Sequence, residues 1–204
     1  MTLYGLKPRF QSLLRPLVRR LAANGFTANQ ITVAAAVGSL AVAGIIIWKA
    51  EHRALYLLLP AWLFVRMALN AIDGMLAREF GQQSRLGAYL NELCDVVSDA
   101  ALYAPIAFVE PFGAVGIAIV IFLATLTELA GVLGPSVGAA RRYDGPLGKS
   151  DRALIFGALG LWIGIGGPLP DWVGWLIPLI GVLLMITVLN RVRAGLREIQ
   201  AVGG

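Results

Sequence analysis

Charged residues are scarce in this sequence: 17 Lys and Arg and 12 Asp and Glu among 204 residues, 14% in all. A water-soluble domain carries about a quarter, so the deficit argues against an ordinary soluble surface and for a bilayer as the solvent. Cysteine is scarcer still. The single Cys94 excludes an internal disulfide and a cysteine-rich metal site, and it reads as a small buried hydrophobe. The one histidine, His52, reads as a surface residue outside the membrane. No internal repeat, low-complexity tract or linker divides the chain, so one domain over residues 1–204 is expected.

What is abundant is apolar. Hydrophobic residues make up 58% of the chain, and the mean hydropathy is +0.75. A spanning helix needs about 20 mostly apolar residues. Six stretches answer to that, at roughly 29–49, 54–80, 85–108, 112–138, 151–167 and 172–194. Ahead of them, Tyr4 to Ala23 carries Leu6, Phe10, Leu13, Leu14, Leu17 and Leu21 at helical spacing, with Lys7, Arg9, Arg15, Arg19 and Arg20 mostly elsewhere. That pattern predicts an amphipathic helix lying in the interface. It lacks the continuous apolar core and cleavage site of a secretory signal. The expected fold is an all-α integral membrane protein, with residues 1–26 as the interfacial helix and 27–204 as a bundle of about six transmembrane helices.

Bases alternate in their placement. The N-terminal segment, the turn around Arg78 and Arg85, the loop Arg141–Arg152 and the tail with Arg191, Arg193 and Arg197 fall on one side. The other side holds only Lys49 and Arg53, together with Glu51, Glu110 and Asp171. The positive-inside rule therefore predicts both termini and the long loops in the cytoplasm. Bases beside apolar runs suggest anionic headgroups or a phosphorylated substrate rather than nucleic acid. Trp48, Trp62, Trp162, Trp172 and Trp175 read as interfacial anchors or packing groups.

Ionisable groups inside spanning segments are costly and mark function. The second segment carries Arg66, Asn70, Asp73 and Arg78, and the third carries Asn91, Glu92, Asp95 and Asp99. The short turn at Gly81–Ser84 makes the two an antiparallel hairpin. Counting along the helices puts Asp73 level with Asn91, and Asn70 level with Asp95, about 10–15 Å inside. Facing carboxylates would repel without a cation between them, and oxygen ligands suit Mg²⁺, Mn²⁺ or Ca²⁺. A hydrogen-bonded polar seam between packed helices is the alternative. Arg66 and Asp99 fall at similar depth, which predicts a buried ion pair bracing the hairpin. Glu128, mid-helix in the fourth segment, reads either as an outer ligand or as a hydrogen-bonded neutral acid.

The run Asn70-x2-Asp73-Gly74-x2-Ala77-Arg78-x8-Gly87-x3-Asn91-x3-Asp95 resembles the CDP-alcohol phosphotransferase signature, D-x2-D-G-x2-A-R-x8or9-G-x3-D-x3-D. All spacings fit. Thr27-Ala28-Asn29-Gln30-Ile31-Thr32 looks like the family's P-N-x2-T entry to its first spanning helix, with Ala28 in place of proline. Gly148-Lys149-Ser150 looks like its G-K loop. Within the family the chain is most similar to a bacterial YnbA-like subgroup. The resemblance implies Mg²⁺ or Mn²⁺, one or two ions, held at Asn70, Asp73, Asn91 and Asp95, with Asp95 as the general base. It also implies a donor, CDP-diacylglycerol or another CDP-alcohol, met by Asn29, Thr32, Gly74, Ala77, Arg78, Gly87, Lys149 and Arg152. A small alcohol acceptor, a homodimer and a bacterial inner-membrane location with a cytoplasmic active site complete the expectation.

Asn70 and Asn91 stand where the signature has aspartate. Asparagine keeps a carbonyl oxygen for a cation but loses the charge, so a two-metal centre does not carry over unchanged. The expected reaction moves a phosphatidyl group from CDP-diacylglycerol to a small polar alcohol and releases CMP. The alternatives are a soluble CDP-alcohol donor with a diacylglycerol acceptor, a non-catalytic CDP-lipid-binding protein, and a proton-coupled transporter. The absence of a repeat or of paired broken helices argues against the last.

Overall fold

The computed structural model describes residues 3–202, with side chains described from Arg9 to Ala201; Leu6 and Lys7 of the N-terminal pattern lie outside that side-chain range. Among the described residues there are seven α-helices and no strand: α1 (Leu3–Ala23), α2 (Ala28–Trp48), α3 (Leu58–Glu79), α4 (Arg85–Tyr103), α5 (Ala114–Val132), α6 (Lys149–Gly164) and α7 (Leu176–Val202). Short 3-10 segments at 53–57, 104–108, 134–137 and 171–175 absorb the ends of several expected helices. Pro105 stands in the second of these, where its missing N–H cannot continue the α-helical ladder. α7 runs past the expected end at 194 to Val202, because the tail after Asn190 keeps good helix formers on both sides of Gly195.

Among the described residues, four stretches are long and apolar enough to cross a membrane: α2, residues 53–79, α5 and residues 171–201. α4 falls short through its acids, Glu92, Asp95 and Asp99, and α6 through its 16-residue length. The exterior is apolar, as for Val115 at 75%, Phe122 at 62% and Leu154 at 74% exposure, while Arg66, Asp73, Asp99, Arg152 and Arg191 are buried. This inverts the arrangement of a soluble domain, in which charges are almost never fully buried unless paired.

α2 packs on α3 and α4, α3 on α6, and α5 on α7. α6 approaches α3 closely because Gly160 lacks a side chain; a Cβ there would lie 2.7 Å from that of Leu59. Two apolar clusters bracket the molecule. The larger joins Tyr56, Leu59, Leu102, Tyr103, Phe156 and Ile163 among others, and Tyr103 stacks on Phe156 with ring centroids 3.8 Å apart. The smaller joins Val18 of α1 to Ala28, Ile31, Ile72, Met75 and Leu76. Along α3, Leu63 of the first cluster precedes Arg66, Asn70 and Asp73, and Ile72, Met75 and Leu76 of the second flank and follow Asp73. The polar residues thus form a layer between two apolar ones.

α1 lies against α3. Phe10 meets Phe64 edge-on at 6.5 Å, and Arg15 pairs with Glu79 at 3.0 Å. Leu13 and Leu17 of α1 remain exposed. Thr27 and Gln30 form a reciprocal capping box that starts α2. Gln82 of the α3–α4 turn ties that start down, accepting from the Ala28 N–H at 2.7 Å and donating to the Phe26 carbonyl at 3.3 Å.

Candidate active site

Ser84 caps α4 by accepting from the Gly87 N–H at 2.9 Å, and the helix it starts carries Asn91, Asp95 and Asp99 on one face. α3 faces it with Arg66, Asn70 and Asp73. Asn70 Nδ2 lies 3.4 Å from Asp95 Oδ1, so the level expected from residue counting is the level observed. Arg66 also donates to Asp95 Oδ1, at 3.2 Å, and to the Asp95 carbonyl, at 3.1 Å. The other carboxylate oxygen, Oδ2, carries the Lys149 ammonium from the start of α6. Asp95 is partly exposed, unlike the buried Arg66, Asp99, Arg152 and Arg191 behind it.

Asp73 is buried at the α2–α3 interface. Thr32 Oγ1 stands 2.8 Å from its Oδ2 and 3.1 Å from the Ala28 carbonyl. The hydroxyl has a single proton, and a charged acceptor makes the stronger bond, so it is donated to the carboxylate. Gly74 leaves room for Arg78, whose Nη2 would lie 2.7 Å from a Cβ at that position; Gly87 does the same for Asn29 Oδ1, also at 2.7 Å. Ala77 packs against the Val18 cluster.

Behind this cleft the charges alternate. Asp99 holds Arg66 Nη1 at 2.5 Å through one oxygen and Arg152 Nη2 at 3.0 Å through the other. Arg152 also meets Glu128 at 2.9 Å and Thr127 Oγ1 at 3.1 Å. Arg191 follows, 3.7 Å from Glu128 and donating to the Thr127 carbonyl. The Arg66–Asp99 pair expected from depth is present, and Glu128 is an ion-paired acid. Arg152, expected among the donor-binding residues, is only 1% exposed; its position puts it in the bracing network rather than on the cleft wall. Burying such charges is tolerable only because each is paired.

Sequence reasoning missed Arg191 and Gln82 as interior and tethering groups. By sequence Arg191 stands among the bases of the tail, yet it is only 2% exposed. The signal available was Glu128, an acid in the middle of an apolar helix, which required a base at its depth on a neighbour. Nothing local marked Gln82.

Asp73 and Asp95 with the amide oxygens of Asn70 and Asn91 make an all-oxygen donor set on facing helices, suited to a hard divalent cation. Among the described residues no three His, Cys, Asp or Glu side chains gather to hold a metal, so the asparagine carbonyls must complete the set. Asn70 presents its Nδ2 to Asp95 and would have to turn its amide over. The donor chemistry of this cleft suits a hard divalent ion.

Residues 26–189 match the family model described as CDP-alcohol phosphatidyltransferase. The inner membrane protein YnbA of Escherichia coli is 49% identical over 197 residues, covering 95% of this chain and 96% of that protein. A phosphatidylinositol phosphate synthase of Mycobacteroides abscessus is 27% identical over 195 residues, 91% of this chain and 84% of its own. The fold matches that of the Mycobacterium tuberculosis phosphatidylinositol phosphate synthase solved with CDP-DAG bound, at a TM-score of 0.73 and 23% identity over 88% of this chain and 92% of the other. A further structure of that enzyme, in complex with manganese and citrate, matches at a TM-score of 0.72. With the signature residues gathered between α3 and α4 and the family model spanning most of the sequence, the chain is a member of the CDP-alcohol phosphatidyltransferase family.

Proposed function

We propose that the protein transfers a phosphatidyl group from CDP-diacylglycerol to a small polar alcohol and releases CMP, working at the cytoplasmic face of a bacterial inner membrane. The observation that carries this reading is the placement of the Asp95 carboxylate. It lies between α3 and α4, oriented by Arg66 and Asn70 through one oxygen, with the other held by a flexible lysine.

In this mechanism the acceptor's hydroxyl oxygen bonds to the phosphorus that carries diacylglycerol. The bond from that phosphorus to the bridging oxygen breaks, and its electron pair leaves with CMP. The hydroxyl proton passes to Asp95 Oδ2, within reach once Lys149 swings toward the diphosphate. Arg66 holds the carboxylate in place throughout. Thr32 orients Asp73, and Arg78 and Asn29 border the glycines where the nucleotide approaches. Mg²⁺ or Mn²⁺, held by Asp73, Asp95, Asn70 and Asn91, supplies positive charge to the diphosphate when bound.

All six long helices after α1 are proposed to cross the bilayer. Leu86, Tyr89, Leu93 and Val97 give α4 an exposed apolar stripe at helical spacing, opposite its acids. Leu154, Leu161 and Ile165 are likewise exposed on and just beyond α6.

Purified protein given CDP-diacylglycerol, Mg²⁺ and a panel of alcohols is expected to release CMP, and Asp95→Asn to stop it. A CDP-alcohol with diacylglycerol tests the opposite direction. No CMP from either donor, or an unchanged rate in Asp95→Asn, overturns the proposal.

A further inference from the structure

We infer that the acceptor is an uncharged alcohol, without a phosphate of its own. The inference rests on the transferase reading and names the acceptor class for that same site. Its ground is the matching of bases to acids around the cleft.

Four bases lie on the loop and helix start beside Asp95, and an acid holds each of them. Arg141 sets both terminal nitrogens on Glu92, which lies one turn before Asp95 on the same face of α4. Arg142 is held by Asp144, at 2.9 and 3.0 Å, and by Glu198, at 2.6 Å. Arg152 is enclosed by Asp99 and Glu128, and Lys149 sits on Asp95. Arg191, the base contributed by α7, is buried against Glu128 and the Thr127 carbonyl. Arg85 is exposed at the start of α4, about 15 Å from Asp95 along the helix. Arg78 is the exposed cation of the signature, folded over Gly74.

The donor consumes what is free. Its diphosphate brings two negative charges beside Asp73 and Asp95, and those four are answered by Lys149, Arg78 and one divalent cation. A phosphomonoester acceptor would add about −1.5 to −2 next to Glu92, where acids already hold all four bases of the loop and helix start. A neutral hydroxyl compound adds none.

The test gives full-length protein CDP-diacylglycerol and Mn²⁺ with paired acceptors: glycerol against glycerol 3-phosphate, and inositol against inositol 1-phosphate. The neutral member of at least one pair is expected to win by about tenfold or more in kcat/KM. Glu92→Gln, which frees Arg141, is expected to move that ratio toward the phosphorylated member by a similar factor. Preference of the unmodified protein for phosphorylated acceptors, or no shift in Glu92→Gln, overturns the inference. If no acceptor yields CMP, the transferase reading fails separately and thermal stabilisation decides, measured with CDP, Mn²⁺ and glycerol 3-phosphate. Stabilisation by glycerol 3-phosphate of Glu92→Gln alone upholds the inference; stabilisation of the unmodified protein, or of neither, overturns it.

Discussion

Asp95 differs from its neighbours in how it is held. Asp99 is locked between two buried guanidinium groups, whereas Asp95 has one oxygen on Arg66 and the other on the mobile end of Lys149. A carboxylate needed to take a proton must have such a releasable partner. Asp95→Asn is therefore expected to lower CMP release by about 10²–10⁴-fold while leaving the melting temperature nearly unchanged, since Arg66 keeps Asp99. A collapse of stability equal to the loss of activity would instead make Asp95 a bracing residue. The asparagines carry a second expectation at this scale. Asn91→Asp restores a carboxylate on the cleft and should tighten Mn²⁺ binding roughly tenfold, since ligand charge count tunes the affinity of oxygen sites. Titration of Mn²⁺ by electron paramagnetic resonance, with no substrate present, reads this directly; unchanged affinity would mean that position 91 does not face the ion.

At the scale of elements, the alternating chain Asp95–Arg66–Asp99–Arg152–Glu128–Arg191 joins α3, α4, α5, α6 and α7. Removing one member strands a charge in the interior. Arg152→Met should cost about 3–5 kcal/mol, seen as a lower unfolding midpoint in detergent, and adding Glu128→Gln should recover part of the loss. Equal stability of Arg152→Met and the unmodified protein would show that water, not Arg152, compensates the two acids. The loop 133–148, proposed to lie outside the membrane, is held differently. The Arg142 guanidinium, by its hydrogen bonds, keeps the Asp144 carboxyl below the usual carboxylate range, against an opposing effect of burial. A depressed pKa means that the folded state binds the proton more weakly than the unfolded chain. The pairing thus contributes fully above the ordinary value near 3.9 and is lost as pH falls through the lower folded value. Amide hydrogen exchange in residues 140–147 is expected to quicken only below about pH 4. In Arg142→Gln the same quickening should be present already at neutral pH.

For the whole molecule the apolar exterior and charged interior set the orientation to be tested. With Cys94 replaced by Ala, a cysteine at Glu51 should react with an impermeant maleimide in intact cells, and one at Ser136 only after permeabilisation. The reverse pattern would turn the protein over and put the cleft on the outer face. The bundle is polarised along its helix axes, with its larger apolar cluster toward residues 56 and 163 and its cleft toward Thr32, Asp73 and Lys149. In the proposed reaction a water-soluble acceptor and a lipid donor would meet at one end without opening the other.

Much of this was legible in the linear sequence, because a bilayer imposes local rules. Helix lengths, the excess of bases on alternate turns and the spacing from Asn70 to Asp95 are each set by residues close together in the chain. They suffice for the all-helical class, the hairpin of α3 and α4, and the pairing of Arg66 with Asp99, whose depths follow from a fixed rise per residue. The identities of Asn70 and Asn91 alone mark the departure in metal ligation. Tertiary structure decided which base answers which acid. Arg141, Arg142, Lys149 and Arg152 look alike in sequence, four cations in or beside one loop. Only the packing of α5, α6 and α7 puts one of them in the interior, one on the Asp95 carboxylate, and two on Glu92, Asp144 and Glu198. The reason is physical: helix position along the membrane normal is nearly a property of the sequence, whereas ion pairing depends on the rotation and contact of helices far apart in it.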